Sequence, residues 1–176
     1  MLYKSVTLKN GKSASLSWFG RDDIDEVVEV LNSVIHEQKY LLMNQDVDRS
    51  DSEKYVDTGD PNGMRYLIAR VDGKVAGGAT IIPLSNKEAH VAHLAIFLHK
   101  NYRNNGLGTI LITELIDVAR KSGFEIIQLS TFSTNKRAMH VYKKCGFKKC
   151  GKLTRDIKYA DGTYADRIML ELILTS

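Results

Sequence analysis

A short loop with two glycines carries the residue types that most directly predict chemistry in this sequence. Residues 103–108 read Arg-Asn-Asn-Gly-Leu-Gly and lie between an apolar, strand-like run at 91–98 and an amphipathic, helix-like run at 109–121. Glycines let a ligand approach the main chain, and the first N–H groups of a helix attract anions because they lack intrahelical partners. Arg103 adds a charge that suits a phosphate oxygen. The loop is therefore predicted to bind a pyrophosphate.

The spacing of the loop excludes two widespread phosphate-binding motifs. A P-loop requires Gly-x-x-x-x-Gly-Lys followed by Ser or Thr, and the sequence contains no such run. A dinucleotide-binding fingerprint requires a third glycine, and Leu111 occupies that position. The remaining pattern, Arg-x-x-Gly-x-Gly, by itself also fits an ordinary glycine-containing turn between a strand and a helix.

A second block of spaced residues follows a strand-like run at 125–131. Residues 135–147 read as a short helix that ends at a glycine, in the pattern Asn-x-x-Ala-x-x-x-Tyr-x-x-x-Gly-Phe. Together with the loop, this block resembles the central signature of the GCN5-related N-acetyltransferase superfamily. The resemblance extends over most of the chain and is sharpest over residues 89–147. The matching positions of the second block are Asn135, Ala138, Tyr142, Gly146 and Phe147.

The resemblance implies a fold and a co-substrate. The fold class is α/β (α+β), with a mixed, mostly antiparallel central sheet of about six to seven strands flanked by helices, and residues 1–176 are expected to form a single N-acetyltransferase domain. Acetyl coenzyme A is the implied co-substrate, and no metal is implied. Its pyrophosphate would lie over residues 104–109, and its pantetheine arm would pair with residues 94–98 like an additional strand. The cofactor-binding residues implied in this way are Ile96, Phe97, Leu98, Arg103, Asn104, Asn105, Gly106, Leu107, Gly108, Thr109, Asn135, Ala138 and Tyr142.

Two side chains are candidates for proton transfer. The resemblance implies that Tyr142 points its hydroxyl at the thioester sulfur and protonates the leaving thiolate, and the ordinary pKa of tyrosine, about 10, exceeds that of a thiol. The alternative is an aromatic ring that only packs on the sheet. His93 stands where many members of the superfamily carry a glutamate, and a neutral imidazole could accept the amine proton. The same position equally fits a residue that lines the pocket while a water relay removes the proton.

Composition and charge limit the class of protein and its partners. The 176 residues are 43% apolar and 26% charged, with a formal net charge of +4, which is typical of a globular domain. No apolar run reaches the roughly 18 residues of a membrane span, and the N-terminus lacks the core of a signal peptide. Cys145 and Cys150 are too few for a disulfide framework, which favours a cytoplasmic location. Neither a membrane nor a nucleic acid is predicted as a partner, and a homodimer is implied by the resemblance alone.

The remaining elements must position these residues. Residues 13–18 alternate as a first strand, and a helix follows them. Asp72-Gly73 between two apolar runs predicts a hairpin, and Gly77-Gly78 in its second strand predicts a bulge or a close backbone contact. Two closing strands are joined around Asp161-Gly162. The second of them is apolar on both faces and is predicted to lie inside the sheet.

The segment before the hairpin is a candidate wall for an acceptor pocket. Residues 36–43 are predicted to form a lip of this pocket, as the first helices and their connection usually do in the superfamily. An acidic stretch follows, which would suit a cationic acceptor or would be only a solvated loop. Its acids are Asp46, Asp48, Asp51, Glu53, Asp57 and Asp60.

Three functions remain open. The first is acetyl transfer to the primary amine of a small molecule, which would be an amino acid, an analogue of one, or a polyamine. Residues 93–108 resemble phosphinothricin-type amino-acid acetyltransferases, except for the histidine at position 93. The second is acetyl transfer to a protein N-terminus or a lysine, which would need an open groove. The third is a non-catalytic sensor of acyl coenzyme A, which the missing glutamate favours and Tyr142 does not.

Overall fold

One sheet organises the part of the chain that the structure describes, residues 2–57 and 64–174. The computed structural model has the strands β1 (Leu2–Thr7), β2 (Ser13–Trp18), β3 (Arg65–Val71), β4 (Lys74–Pro83), β5 (Val91–Leu98), β6 (Ile126–Phe132), β7 (Lys148–Lys158) and β8 (Tyr164–Ile173). Its helices are α1 (Ile24–Ile35), α2 (Arg49–Asp57), α3 (Leu107–Lys121) and α4 (Lys136–Lys144). The strands lie in the order β1-β2-β3-β4-β5-β6-β8-β7. Neighbouring strands are antiparallel except β5 and β6, which are parallel.

This architecture confirms the predicted mixed, mostly antiparallel sheet flanked by helices. The described residues form eight strands rather than the six to seven expected. The additional strand is β1, which precedes the first predicted strand at residues 13–18. β1 is an edge strand whose side chains from Tyr3 to Thr7 are mostly exposed. An exposed edge strand needs little apolar alternation, so its sequence gives a weak signal. β8 lies between β6 and β7, which confirms its predicted place inside the sheet.

Helices cover both faces of the sheet. Alternate residues of β3 point to opposite sides: Leu67 packs in the large core that contains α3, whereas Ile68 packs against α1. On α3, Leu111 and Leu115 are fully buried at i and i+4, the spacing that places side chains on one face of a helix. The glycine-containing loop before α3 is therefore held against the sheet by a well-packed helix. Within the described ranges, no helix is long and apolar enough to cross a membrane.

The predicted hairpin and its paired glycines are both confirmed. Asp72 and Gly73 have φ angles of 52° and 78°, which suit a tight turn between β3 and β4. A Cβ atom on Gly77 would lie 2.4 Å from the carbonyl oxygen of Phe97, and one on Gly78 would lie 2.6 Å from the ring of Tyr66. Gly77 lets β4 approach β5 closely, and Gly78 makes room for the ring of Tyr66 on β3. β4 pairs with β5 from residue 92 to residue 98.

The sheet splits between its two parallel strands. β5 and β6 pair only from Val91 to His93, against Ile126 to Gln128. Beyond these three pairs β5 follows β4, whereas β6 follows β8 along its entire length. The C-terminal halves of β5 and β6 therefore diverge and leave an opening in the middle of the sheet.

Lysines occupy the other edge of the sheet. β7 is the last strand in the order, and almost all of its side chains are exposed. Its exposed lysines are Lys148, Lys149, Lys152 and Lys158. Two breaks in register interrupt its pairing with β8.

Candidate functional site

A cleft of about 730 Å³ fills the opening between β5 and β6. Both diverging strands form its walls, and the start of α3, the helix α4 and the segment after α1 close its ends. Ligand pockets commonly form where neighbouring strands part. The predicted residues that line this cleft are His93, Ile96, Phe97, Leu98, Arg103, Asn104, Gly106, Gly108, Thr109, Asn135, Ala138 and Tyr142.

Peptide groups of β5 face the cleft. The N–H group of His99 donates to the carbonyl oxygen of Ala76 at 2.9 Å, so odd-numbered residues at this end of β5 bond to β4. Peptide groups alternate sides along an antiparallel strand, and the even-numbered residues therefore point to the opposite side. Beyond the last pair with β6, that side is the cleft. The residues that present their peptide groups in this way are Leu94, Ile96 and Leu98.

The loop before α3 has the backbone form of an anion site. Asn104 and Gly106 have φ angles of 66° and 92°, in the left-handed region, and Gly106 is the N-cap residue immediately before α3. A Cβ atom on Gly108 would lie 3.3 Å from the side chain of Leu98, so this glycine allows α3 to approach β5 closely. Left-handed residues followed by a helix start orient successive N–H groups toward one point.

Two of the predicted loop residues have side chains outside the cleft. The side chain of Asn105 accepts a hydrogen bond from the N–H of Leu107 at 3.2 Å, and Asn105 is 8% exposed. Leu107 is 1% exposed and packs in the core. Because the N–H of Leu107 is bonded to Asn105, this amide contributes to holding the loop rather than facing the cleft. Both residues therefore support the loop from behind.

The guanidinium of Arg103 is held by protein groups. Its Nη1 and Nη2 atoms donate to the carboxylate of Glu37 at 2.8 and 2.5 Å, and Nε donates to the carbonyl oxygen of Leu98 at 2.9 Å. The ring of Tyr40 lies 4.7 Å from the guanidinium carbon. The hydrogen bonds from Arg103 hold the pKa of Glu37 below its ordinary value. The sequence predicted a phosphate as the partner of this charge, whereas the structure pairs it with Glu37.

Tyr142 lies in the wall of the cleft on α4. Tyr142 is 6% exposed, and its ring lies edge-on to that of Phe147, with the ring centroids 6.0 Å apart. Burial, with a smaller contribution from Cys145, raises the pKa of Tyr142 to about 12, so its hydroxyl stays protonated at neutral pH. Asn135 is the N-cap residue of α4, and its Oδ1 accepts a hydrogen bond from the N–H of Ala138 at 3.1 Å. The side-chain NH₂ group of Asn135 is therefore the part that can donate to a ligand.

His93 lies deeper in the cleft, at the last pair between β5 and β6. It is partly buried, and burial lowers its pKa from the ordinary value of 6.5. The neutral imidazole therefore predominates at neutral pH, which is the form that can accept a proton.

The cleft also contains residues that the sequence reading missed. β6 contributes Ser130, Thr131 and Phe132, whose positions depend on the divergence of the two strands. Lys9, from the turn between β1 and β2, lies beside the loop and was missed because β1 was missed. The signal that could have found Ser130 and Thr131 was two hydroxyl residues near the carboxyl end of a strand that is mostly apolar.

The segment after α1 reaches the cleft, whereas the acids that the structure describes in the following stretch do not line it. The predicted lip contributes residues 40–43 to the cleft wall. The carboxylate of Asp46 instead contacts the ring of His36 at 2.6 Å, and Glu53 pairs with Arg49 at 2.8 Å. Asp60 and the side chain of Asp57 lie outside the described residues. The described acids fit a solvated loop better than a lining for a cationic acceptor.

A family model and known proteins match this chain. The model described as "Acetyltransferase (GNAT) family" matches residues 26–147. An L-amino acid N-acetyltransferase from Escherichia coli is 31% identical over 115 residues, which cover 62% of this chain and 71% of the relative. An L-methionine sulfoximine/L-methionine sulfone acetyltransferase from Pseudomonas aeruginosa is 24% identical over 166 residues, which cover 92% of this chain and 95% of the relative.

A solved structure has the same fold. It is a GNAT superfamily phosphinothricin acetyltransferase from Sinorhizobium meliloti in complex with acetyl coenzyme A. The similarity covers 91% of this chain and 88% of that one, with a TM-score of 0.84 and 18% sequence identity. At this identity the likeness establishes the fold alone.

Replacing Glu37 by Gln should destabilise the protein in a pH-dependent way. The substitution removes the charge that Arg103 pairs with, and for this partly buried, bidentate pair we expect a loss of about 1 kcal/mol in the free energy of unfolding near pH 7. Since the folded-state pKa of Glu37 is lowered, its contribution is complete above its ordinary value of 4.5 and is lost as the pH falls through the folded-state value. Urea titrations of both proteins from pH 7 to pH 3 measure this difference.

The matched control is Glu53→Gln, because Glu53 pairs with Arg49 on the exposed surface of α2. We expect this change to alter the free energy of unfolding by only a few tenths of a kcal/mol. A Glu37→Gln difference that stays constant down to pH 3 would contradict a role for the Glu37 charge.

Proposed function

Because the chain belongs to the acetyltransferase (GNAT) family and is an acyltransferase, we propose that it transfers an acetyl group from acetyl coenzyme A to the primary amine of an amino acid or of an amino-acid analogue. The observation that carries this proposal is the cleft along the unpaired edge of β5, which ends at the glycine-containing loop before α3. The two relatives described above, by their names, act on amino acids or analogues of them. A polyamine is less well supported, because the described acids lie outside the cleft.

The residues of the cleft fit the thioester co-substrate. Asn104, Gly106, Gly108 and Thr109 line the end of the cleft at the start of α3, which supports a pyrophosphate there. The peptide groups of β5 face the cleft at the positions where an extended pantetheine arm would pair, near Ile96 and Leu98. Asn135 and Ala138 line the opposite wall, with Phe97 near the open end of β5. The main chain at Arg103 leads into the loop, and Asn105 and Leu107 fix its shape.

Tyr142 is assigned as the acid for the leaving thiolate. Tyr142 lines the cleft wall, and its raised pKa keeps the hydroxyl protonated at neutral pH. The hydroxyl therefore carries a proton that it can donate to the sulfur as the C–S bond breaks. Cys145 is not assigned a chemical role, because burial raises the pKa of its thiol and disfavours the reactive thiolate.

His93 is assigned as the base for the amine. Its neutral imidazole lies on the wall of the cleft, and its lowered pKa keeps it free to accept a proton at neutral pH. A peptide N–H of β5 that faces the cleft would donate to the carbonyl oxygen as negative charge builds on it. The chain thus supplies an acid, a base and an oxyanion donor around one opening.

A small acceptor is favoured over a protein or peptide. Residues 40–43 line one side of the cleft, and the two relatives described above act, by their names, on small molecules. A non-catalytic sensor would not need a buried, protonated tyrosine beside the thioester.

We further propose that residues 1–176 form one N-acetyltransferase domain, since the sheet extends on both sides of the matched residues. The free thiols of Cys145 and Cys150 favour a reducing compartment, so a cytoplasmic location is part of the proposal; the homodimer stays a prediction.

The proposal is tested by thiol release from acetyl coenzyme A in the presence of a panel of acceptors. We expect release with one or more amino acids or their analogues, and little with polyamines or peptides. Replacing Gly106 by Val should abolish cofactor binding in calorimetry, because valine does not tolerate a φ angle of 92° and would crowd the loop.

Gly123→Val is the matched control. Gly123 has a φ angle of 83°, and a Cβ atom there would meet nothing within 4 Å, so this variant carries similar backbone strain far from the loop. Equal losses of binding in both variants, or no heat of binding in the unmodified protein, would contradict the assigned loop. Release with peptides alone would instead favour a protein N-terminus or a lysine as the acceptor.

Replacing Tyr142 by Phe should lower turnover without weakening cofactor binding. The variant keeps the ring and loses the proton that the thiolate would take, so we expect kcat to fall about a hundredfold, while the Kd for acetyl coenzyme A changes little. Steady-state kinetics at saturating amine and calorimetry measure the two effects. Tyr164→Phe is the control, because Tyr164 is 41% exposed on β8. Unchanged kcat in Tyr142→Phe would remove this residue from the chemistry.

Replacing His93 by Gln should change the pH dependence of kcat/KM. In the unmodified enzyme, activity should fall as the pH drops through the lowered pKa of His93, which lies below 6.5, because the protonated ring cannot act as a base. The variant should be about a hundredfold slower at neutral pH and should lack this acidic limb. Rate profiles from pH 5 to pH 9 measure both. A variant that keeps the acidic limb would assign proton removal to a water relay.

A further inference from the structure

The first turn of the chain is docked on the glycine-containing loop. The turn between β1 and β2 is closed by hydrogen bonds from the N–H of Leu8 to the carbonyl of Lys12 and from the N–H of Gly11 to the carbonyl of Leu8, at 2.8 and 3.0 Å. Leu8 is 2% exposed and belongs to the main core. The N–H of Lys9 donates to the carbonyl oxygen of Asn105 at 2.9 Å. The turn and the loop therefore keep one fixed relative position.

The side chain of Lys9 lies across Gly106, the N-cap residue of α3. A Cβ atom on Gly106 would lie 3.3 Å from Cγ of Lys9 and 3.6 Å from both Cδ and Cε. The methylene stem of the lysine thus packs on the glycine, and the residue lines the cleft. Lys9 is exposed, but its methylene groups lie over Gly106, so placing its ammonium group beside a ligand costs less conformational entropy than for a lysine that extends freely into solvent.

The loop otherwise lacks a side-chain cation of its own. Residues 104–109 read Asn-Asn-Gly-Leu-Gly-Thr and carry no charge. The charge of Arg103 is matched by Glu37 through two hydrogen bonds. A diphosphate at the loop would therefore meet backbone dipoles and Lys9, which is packed on the loop, whereas Arg137 and Lys144, which also line the cleft, belong to α4. An ammonium group donates strong, charge-assisted hydrogen bonds to phosphate oxygens.

We propose that Lys9, from the first hairpin, is the side chain that binds the diphosphate of the thioester co-substrate, and that Arg103 holds the neighbouring segments together instead. This inference rests on the proposed function and adds a specific residue to it. The first hairpin then belongs to the co-substrate site, although it precedes the residues that match the family model.

The test compares Lys9→Met, which keeps the apolar stem, with Lys9→Arg, which keeps the charge. Calorimetry gives the Kd for acetyl coenzyme A and for its 3′-dephospho form, and kinetics with an accepted amine give kcat/KM for S-acetylpantetheine, which has no diphosphate. We expect Lys9→Met to weaken both nucleotide-containing compounds about tenfold and to leave S-acetylpantetheine unaffected. Lys9→Arg should recover most of the lost affinity.

Lys12→Met is the matched control, because Lys12 lies in the same turn and pairs with Asp72 at 2.6 Å. Equal losses in Lys9→Met and Lys12→Met would overturn the inference in favour of a general effect of net charge. A loss confined to the compound with the 3′-phosphate would overturn the assignment to the diphosphate. Unchanged binding by Lys9→Met would overturn the role of Lys9 alone. Absence of binding by the unmodified protein would instead refute the proposed function, and this inference with it.

Discussion

The separation of two parallel strands after three residue pairs is the constraint on which the rest of the structure depends. Each of the two strands has a firm antiparallel partner on its other side, β4 for β5 and β8 for β6, so neither can follow the other. The result is a row of peptide groups in the interior of a sheet without a neighbouring strand. Unpaired peptide groups are costly unless water or a ligand meets them. An extended molecule with amide groups of its own is therefore a well-suited occupant of the cleft.

Arg103 connects the two ends of this opening. One of its hydrogen bonds satisfies the carbonyl of Leu98 at the end of β5, and two others reach Glu37 just after α1. Tyr40 packs on the same guanidinium and belongs to the segment at residues 40–43 that lines the cleft. One partly buried cation thus sets the position of the loop relative to this segment. A single arginine can do this because its planar group presents donors in several directions.

Local signals predicted most of the fold, and long-range contacts account for what was missed. The residue types alone predict a tight turn at Asp72-Gly73 and a close backbone contact at Gly77-Gly78, and both predictions are confirmed. β1 was missed because its pattern is that of an exposed edge. The partner of Arg103 could not be predicted, since Glu37 is 66 residues away in sequence and nothing near either residue indicates the pairing. Lys9 is likewise brought to the loop only by the docking of the first turn.

The lysines of β7 have a consequence for how this protein meets its own copies. An edge strand carries free hydrogen-bonding groups that can recruit another strand, and charged side chains are a common means of preventing this. Two β7 edges brought together would bring their lysines close to one another, and of these Lys152 is paired with Asp166. Continuous growth of the sheet from one molecule to the next is therefore disfavoured at this edge, and a homodimer would need to assemble through another surface.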